Sequence, residues 1–479
     1  MPLARVTTPS LEALQRYTRA RNLNDAGDFQ NALPLAKSAI GLDPDFPMDH
    51  LLLAEIYIRL GNGSEANEQL ALALRGLDHV TERERYLIQA TDYVNRSLHE
   101  KVAEQYRLLT ELYPDDLLAY RGLAGALWAV GHLEDAAAAE RHALELSPDS
   151  TSDYNDLIIT LDELNRFSEA LETFSLAQSR GIQNPLLHWG VGLAYLGQGN
   201  REAAGREFDL LKQAGDYGAN LASFYHASLL AHEGRLAEAT QELQAGVVLG
   251  EKQGSRNSLL TRRWLLAKVL AMRGRGMEAL AETRALGSQA RAQADPWGLE
   301  AGGLLTLELG NLPLARLLLA ELDKLRSKDQ GAAYIQSRYY TLKGGIELAN
   351  GDAAGAVIRA RAALVYNPVA YEAASVLGQA YARERNWPEA ARAYKRYLDS
   401  QGQLFALGAT AEWAAAQARL ARAQVEAGQT DEALRTYERF LELWSAADAG
   451  LPIVQQARAD RQRLSAVPPQ KSVSAPTNK

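Results

Sequence analysis

Seven residues of this 479-residue chain have the types and positions for recognition chemistry: Trp128, Trp189, Phe224, Trp264, Trp297, Lys268 and Arg121. Large aromatic faces bury much area at little rotamer cost, and Trp and Arg dominate binding hot spots. Interleaved with Glu55, Asp162, Glu300, Arg383 and Arg422, they suit a groove that holds a protein or peptide. The same aromatics have a second reading, as packing between neighbouring helices, and spacing alone does not choose between the two. Catalytic patterns are missing. There is no GxxxxGK[ST] phosphate loop, no HExxH helix, no GxSxG elbow and no HRD or DFG. With no cysteine, thiolate catalysis, iron–sulfur clusters and Cys-ligated zinc are excluded. The eight histidines never stand at i, i+4, the one-face metal spacing. No catalytic residue, metal or cofactor is expected, and the chain is expected not to be an enzyme.

The elements that must position these residues are periodic. A helical stretch, a Gly, an Ala five residues later and a second stretch ending near Pro recur along the chain. Gly27…Ala32…Pro44, Gly131…Ala136…Pro148 and Gly351…Ala356…Pro368 are three instances. Repeats start near residues 13, 47, 83, 117, 151, 185, 220, 260, 296, 337, 371 and 414. A spacing of about 34 residues with a helix–turn–helix plan is the tetratricopeptide signature. The expected fold is all-α: a right-handed tetratricopeptide-repeat superhelix, an α-solenoid of about twelve hairpins. Residues 1–12 lead in, 13–450 form the solenoid, 451–465 a capping helix, and 466–479 a disordered tail. Extra residues around Gly250–Asn257, Lys324–Gly331 and Ser400–Ala409 are either lengthened helices or loops.

Each column of the repeat has a physical reason. The twentieth position is Ala in eleven of twelve repeats and the eighth is Ala or Gly in eleven, so these are the close contacts between paired helices. The fifteenth position is Gly in nine, which suits the left-handed residue that ends the first helix. Tyr and Phe at positions 11 and 24 fill the remaining space. First helices line the concave surface, and Trp128, Trp189, Phe224, Trp264 and Trp297 fall on their inward positions. One hairpin cannot bury its apolar face alone, so neighbours stack.

Charge divides along the chain. Residues 1–250 hold 20 Lys plus Arg against 36 Asp plus Glu, and residues 251–479 hold 31 against 23. Such a split gives a dipole that steers partners, or is a biased solvated surface. A net charge of −8 disfavours nucleic acid as partner. No membrane span is expected, because no run of about 18 uncharged apolar residues occurs. The chain as it stands reads as cytoplasmic. The Lys-and-Asn pattern of co-chaperone clamps for acidic tails is missing.

The segment Val6-Thr7-Thr8-Pro9-Ser10-Leu11-Glu12-Ala13-Leu14 with Gly27-Asp28-Phe29 resembles the opening of the C-terminal repeat regions of bacterial Ser/Thr protein kinases and related cyclase or winged-helix regulators. Thr81-Glu82-Arg83-Glu84-Arg85, Leu112-Tyr113-Pro114-Asp115-Asp116 and Phe440-Leu441-Glu442-Leu443-Trp444 resemble later stretches of such arrays. The resemblance implies a protein-binding scaffold or sensor module in bacterial signalling. It also leaves a second reading, a substrate-recruiting or regulatory part of a larger kinase or cyclase. No output domain stands in the sequence, so the chain is either a stand-alone relative or a piece of a longer one. In the second case a membrane-anchored parent would place it outside the cytoplasm.

Overall fold

The computed structural model describes residues 8–25, 28–60, 62–96, 98–253, 256–328 and 332–466. Among them every regular element is a helix. The chain divides into two compact units, residues 1–148 and 149–479. The first holds α1 (Leu11–Asp25), α2 (Phe29–Leu42), α3 (Pro47–Arg59), α4 (Gly63–Arg75), α5 (Glu82–Asn95), α6 (His99–Leu112), α7 (Leu117–Ala129) and α8 (Leu133–Leu146). The second begins with α9 (Thr151–Glu163), α10 (Phe167–Ser179), α11 (His188–Gly197), α12 (Arg201–Leu210), α13 (Gly215–His232), α14 (Leu236–Gln253), α15 (Arg256–Met272) and α16 (Gly276–Gln293). It continues with α17 (Pro296–Glu308), α18 (Leu312–Lys328), α19 (Ala333–Ala349), α20 (Ala353–Tyr366), α21 (Tyr371–Arg383) and α22 (Trp387–Asp399). It ends with α23 (Gln401–Ala406), α24 (Thr410–Glu426), α25 (Thr430–Leu443) and α26 (Pro452–Ser465).

Helix starts follow from side chains that satisfy the first free N–H groups. Asp116 accepts from Leu118 and Ala119 to open α7, and Asp295 accepts from Trp297 and Gly298 to open α17. Thr81 and Glu84 form a reciprocal box at α5. Consecutive helices then pair and stack. Every twentieth-position alanine from Ala32 to Ala433 is buried. At two eighth-position glycines the facing group is an aromatic ring from the second helix of the same hairpin. A Cβ on Gly192 would run into the Phe208 ring, and one on Gly378 would stand 2.7 Å from Tyr394.

Gly131, Gly199, Gly234, Gly274, Gly310, Gly351 and Gly428 all take positive φ, from 73° to 90°, as the turn requires. Gly27 and Gly61 lie outside the described residues, as do 467–479 of the expected tail. The same turn position is Asn165 in the hairpin α9–α10 and Arg385 in α21–α22. Both keep the left-handed conformation, at φ 60° and 59°. The chain keeps the turn even where it has not kept the glycine.

The second unit closes on itself. The carboxamide of Asn165 donates to the Asp399 carbonyl and accepts from the Gly402 amide, both at 2.8 Å. Tyr225 Oη of α13 donates to the Ala406 carbonyl at 2.7 Å, and Thr410 Oγ1 donates to the Ser228 carbonyl at 2.6 Å. Further along, Asp448 N donates to the Gly234 carbonyl at 3.0 Å, while its carboxylate accepts from Ala237 N at the start of α14. Trp444 is fully buried beside Gly234. The inserted stretch 400–409 is therefore α23 and its flanking turns, set against α9 and α11 and touching α13 at Phe224 and Tyr225. Alanine-rich α24 is buried on nearly every face from Thr410 to Ala418, which its small side chains permit.

Candidate functional site

In the second unit, α15, α17, α19, α21, α22 and α24 surround a cavity of about 600 Å³. Trp264 of α15 forms part of its wall, with Trp297 beside it, ring centroids 5.9 Å apart at 63°. Lys268, one turn on from Trp264, reaches Glu308 Oε1 at 2.8 Å and lies 6.0 Å from the Trp264 ring centre. Leu304, Leu307 and Leu404 supply apolar wall, and Tyr371 and Tyr397 aromatic wall. On α24, Glu412, Arg419 and Arg422 face the cavity from one side of the helix, and Arg383 joins them from the end of α21.

The carboxyls of this region are out of water. Burial pushes Glu412 above the usual carboxylate range, and Lys268 opposes the shift. Burial raises Glu372 too, against the pull of Arg338. Glu300, also buried, pairs with Arg338, whose guanidinium lies 4.4 Å over the Tyr334 ring. Among the described residues, no group of three or more His, Asp or Glu is placed to hold a metal ion.

The other expected recognition residues are dispersed. Trp128 and Arg121 belong to the first unit and stand on the exposed face of α7, Trp128 with 45% of its surface in solvent. Leu118, 48% exposed, continues the same face. Phe224 is only 8% exposed and lies against Gly408, where a Cβ would come within 2.7 Å of the ring. Trp264 is 7% exposed. Phe224 is inside the second unit, covered in part by the returning segment around Gly408, and Trp264 shows little surface beyond the part that lines the cavity. Half-buried Trp189 approaches Tyr225, at 6.1 Å between centroids, and Tyr225 also meets Phe224 edge-on. Of the interleaved charges, Glu55 binds Arg21 at 2.6 Å, and Asp162 is buried beneath Gly190 with no partner for either oxygen.

Residues 23–78 match one tetratricopeptide-repeat family model, and residues 89–151 and 341–404 match a second. The chain carries tetratricopeptide repeats. A repeat scaffold of this kind typically serves protein–protein interaction and is generally non-catalytic. A chain of the crystal structure of the APC/C hetero-tetramer Cut9–Hcn1 is similar at 15% identity, over 94% of this chain and 84% of its own, with a TM-score of 0.46. Pseudomonas aeruginosa pilF is similar at 15% identity, over 43% of this chain and 94% of its own, with a TM-score of 0.34. No curated protein matches the chain. Among the described residues, no helix is long and apolar enough to cross a membrane.

Sequence reasoning placed Lys268, Arg383 and Arg422 on inward positions of the tetratricopeptide repeats, and the cavity contains all three. It missed Glu412 and Arg419. Glu412 falls between the inserted stretch 400–409 and the last repeat start at 414, where no inward position was counted. Arg419 sits at the sixth position of that repeat, between two positions counted as inward. A wide helical face toward the cavity, residues 412, 419, 422 and 423, was the available signal.

Proposed function

We propose that the chain is a non-catalytic scaffold that binds a partner protein, with Trp128 as its main anchor. The observation that carries this reading is the stripe Leu118, Arg121, Gly125 and Trp128, all exposed along one face of α7. A solvent-exposed Trp and Leu on one helix face leave apolar area that a partner can bury. The neighbouring Arg121 adds charge for orientation. In the second unit, Trp189, Trp297 and Lys268 offer a separate set of contacts, with Phe224 and Trp264 as their packed support. The likeness of Val6–Leu14 and the later stretches to kinase- and cyclase-associated repeat regions supports a bacterial signalling setting, in which this chain recruits a substrate or regulator. The test is a binding isotherm between the intact chain and a partner captured with it. Trp128→Ala should weaken binding about 30-fold or more, the loss typical of a hot-spot Trp, with helical circular dichroism unchanged. Equal affinity of parent and variant would remove α7 from the reading.

A further inference from the structure

The cavity of the second unit contains a feature the scaffold reading does not use. Glu412 is 4% exposed, and no other residue donates a hydrogen bond to either carboxylate oxygen. A buried carboxyl without donors is costly, so a native structure that keeps one usually completes it with something else. The nearby ammonium of Lys268 is already held by Glu308 at 2.8 Å. Glu372 is served by the Tyr371 hydroxyl, whereas Glu412 has only its own backbone N–H near it. Glu412 is thus the open acceptor of the cavity.

The opposite end is cationic. Arg419 lies seven residues on along α24, about 10 Å at 1.5 Å per residue. Arg422 lies one turn further, and Arg383 stands near by on α21. Among the described residues these three arginines make no ion pair. The same cavity has apolar and aromatic wall from Leu304, Leu307, Leu404 and Tyr397. A volume of about 600 Å³ lies within the range of small-ligand sites.

We propose that this cavity is a ligand site for a basic α-amino acid, free or as the C-terminal residue of a peptide, with its side-chain cation on Glu412 and its carboxylate on Arg419 and Arg422. The span between the two ends fits a lysine or arginine side chain lying along α24. Its methylenes cover the leucine wall. The inference does not depend on the partner-binding face of α7.

The experiment is calorimetric titration of the intact chain, with the change in intrinsic tryptophan fluorescence, to which Trp264 and Trp387 of the cavity wall contribute, as a second signal. The probes are L-arginine, L-lysine and the tripeptide Gly-Gly-Arg. Agmatine, which lacks the carboxylate, and norleucine, which lacks the cation, are the comparisons. At least one of the first three should bind with Kd below about 1 mM. Agmatine and norleucine should bind about 10-fold or more weakly, since each loses a charge-assisted contact. Glu412→Gln should lower affinity about 30-fold. Arg419→Gln should abolish the preference for arginine over agmatine. The ranking of free arginine against Gly-Gly-Arg identifies the source of the ligand. Circular dichroism checks that each variant is folded; if Glu412→Gln is not, Arg419→Gln, at a partly exposed position, decides. No binding of any basic probe at 10 mM, or binding that survives both substitutions unchanged, overturns the proposal.

Discussion

Asn165 Oδ1 accepts a 2.8 Å hydrogen bond from the amide of Gly402, across 237 residues of chain. The same carboxamide donates to the Asp399 carbonyl, so one side chain holds both ends of the turn between α22 and α23. Asn165 can do this because it occupies the left-handed turn position that other hairpins give to glycine. Asparagine tolerates that conformation better than most residues.

Replacing Asn165 separates its two roles. Asn165→Gly keeps the backbone and loses both bonds, and should destabilise the second unit by about 1–3 kcal/mol. Asn165→Ala also meets the left-handed penalty and should cost about 1 kcal/mol more. Urea unfolding curves measure both. Parent-like stability in Asn165→Gly would mean that the contact does not hold the closure.

The pair Gly192 and Phe208 tests the close approach within a hairpin. Gly192→Ala drives a methyl into the ring and should cost about 1–3 kcal/mol. Combined with Phe208→Leu, the Ala should cost less than it does alone. A double-mutant cycle with additive free energies would contradict the packing described.

Two buried groups make opposite pH predictions for the second unit. Asp162 is buried without partners beside Glu163, and its carboxyl is held well above 3.8. The unfolded chain ionises this group first, so folding stability falls as pH rises above about 4, until the folded carboxyl ionises too. Asp162→Asn should therefore raise the melting temperature at pH 8 more than at pH 5. A shift of equal size at both would show that Asp162 is ionised in the folded chain.

His232 works the other way. Enclosed by Phe405 and Trp413, it is pushed down from 6.5 to about 4, by burial and by the nearby Arg201. Above pH 6.5 it is neutral in both states. Between 6.5 and about 4 the unfolded chain takes up the proton first, so stability falls as pH falls. His232→Leu should flatten that part of the stability curve relative to the parent. An unchanged slope in melts from pH 7 to pH 4.5 would contradict the shift.

Helix pairing was legible in the sequence because it is local. The alanines at position 20, the small residues at position 8 and the turn glycines each report a contact inside one hairpin, within about 20 residues. The closure was not legible. Its bonds join Asn165 to Gly402, Ser228 to Thr410 and Gly234 to Asp448, and no short-range period encodes such distances. That is also why Phe224 reads as a groove residue. Its inward orientation was visible in the repeat, but the segment that covers it, around Gly408, returns from far along the chain. Glu412 was hidden for a related reason: the repeat frame had no place for it.

The central claim is that a protein partner is recognised through the exposed face of α7. Hydrogen–deuterium exchange of the intact chain, with and without its captured partner, tests it most directly. The account predicts new protection in residues 117–129, with Trp128→Ala removing it. Protection elsewhere in the chain, with 117–129 exchanging as in the free protein, would contradict it.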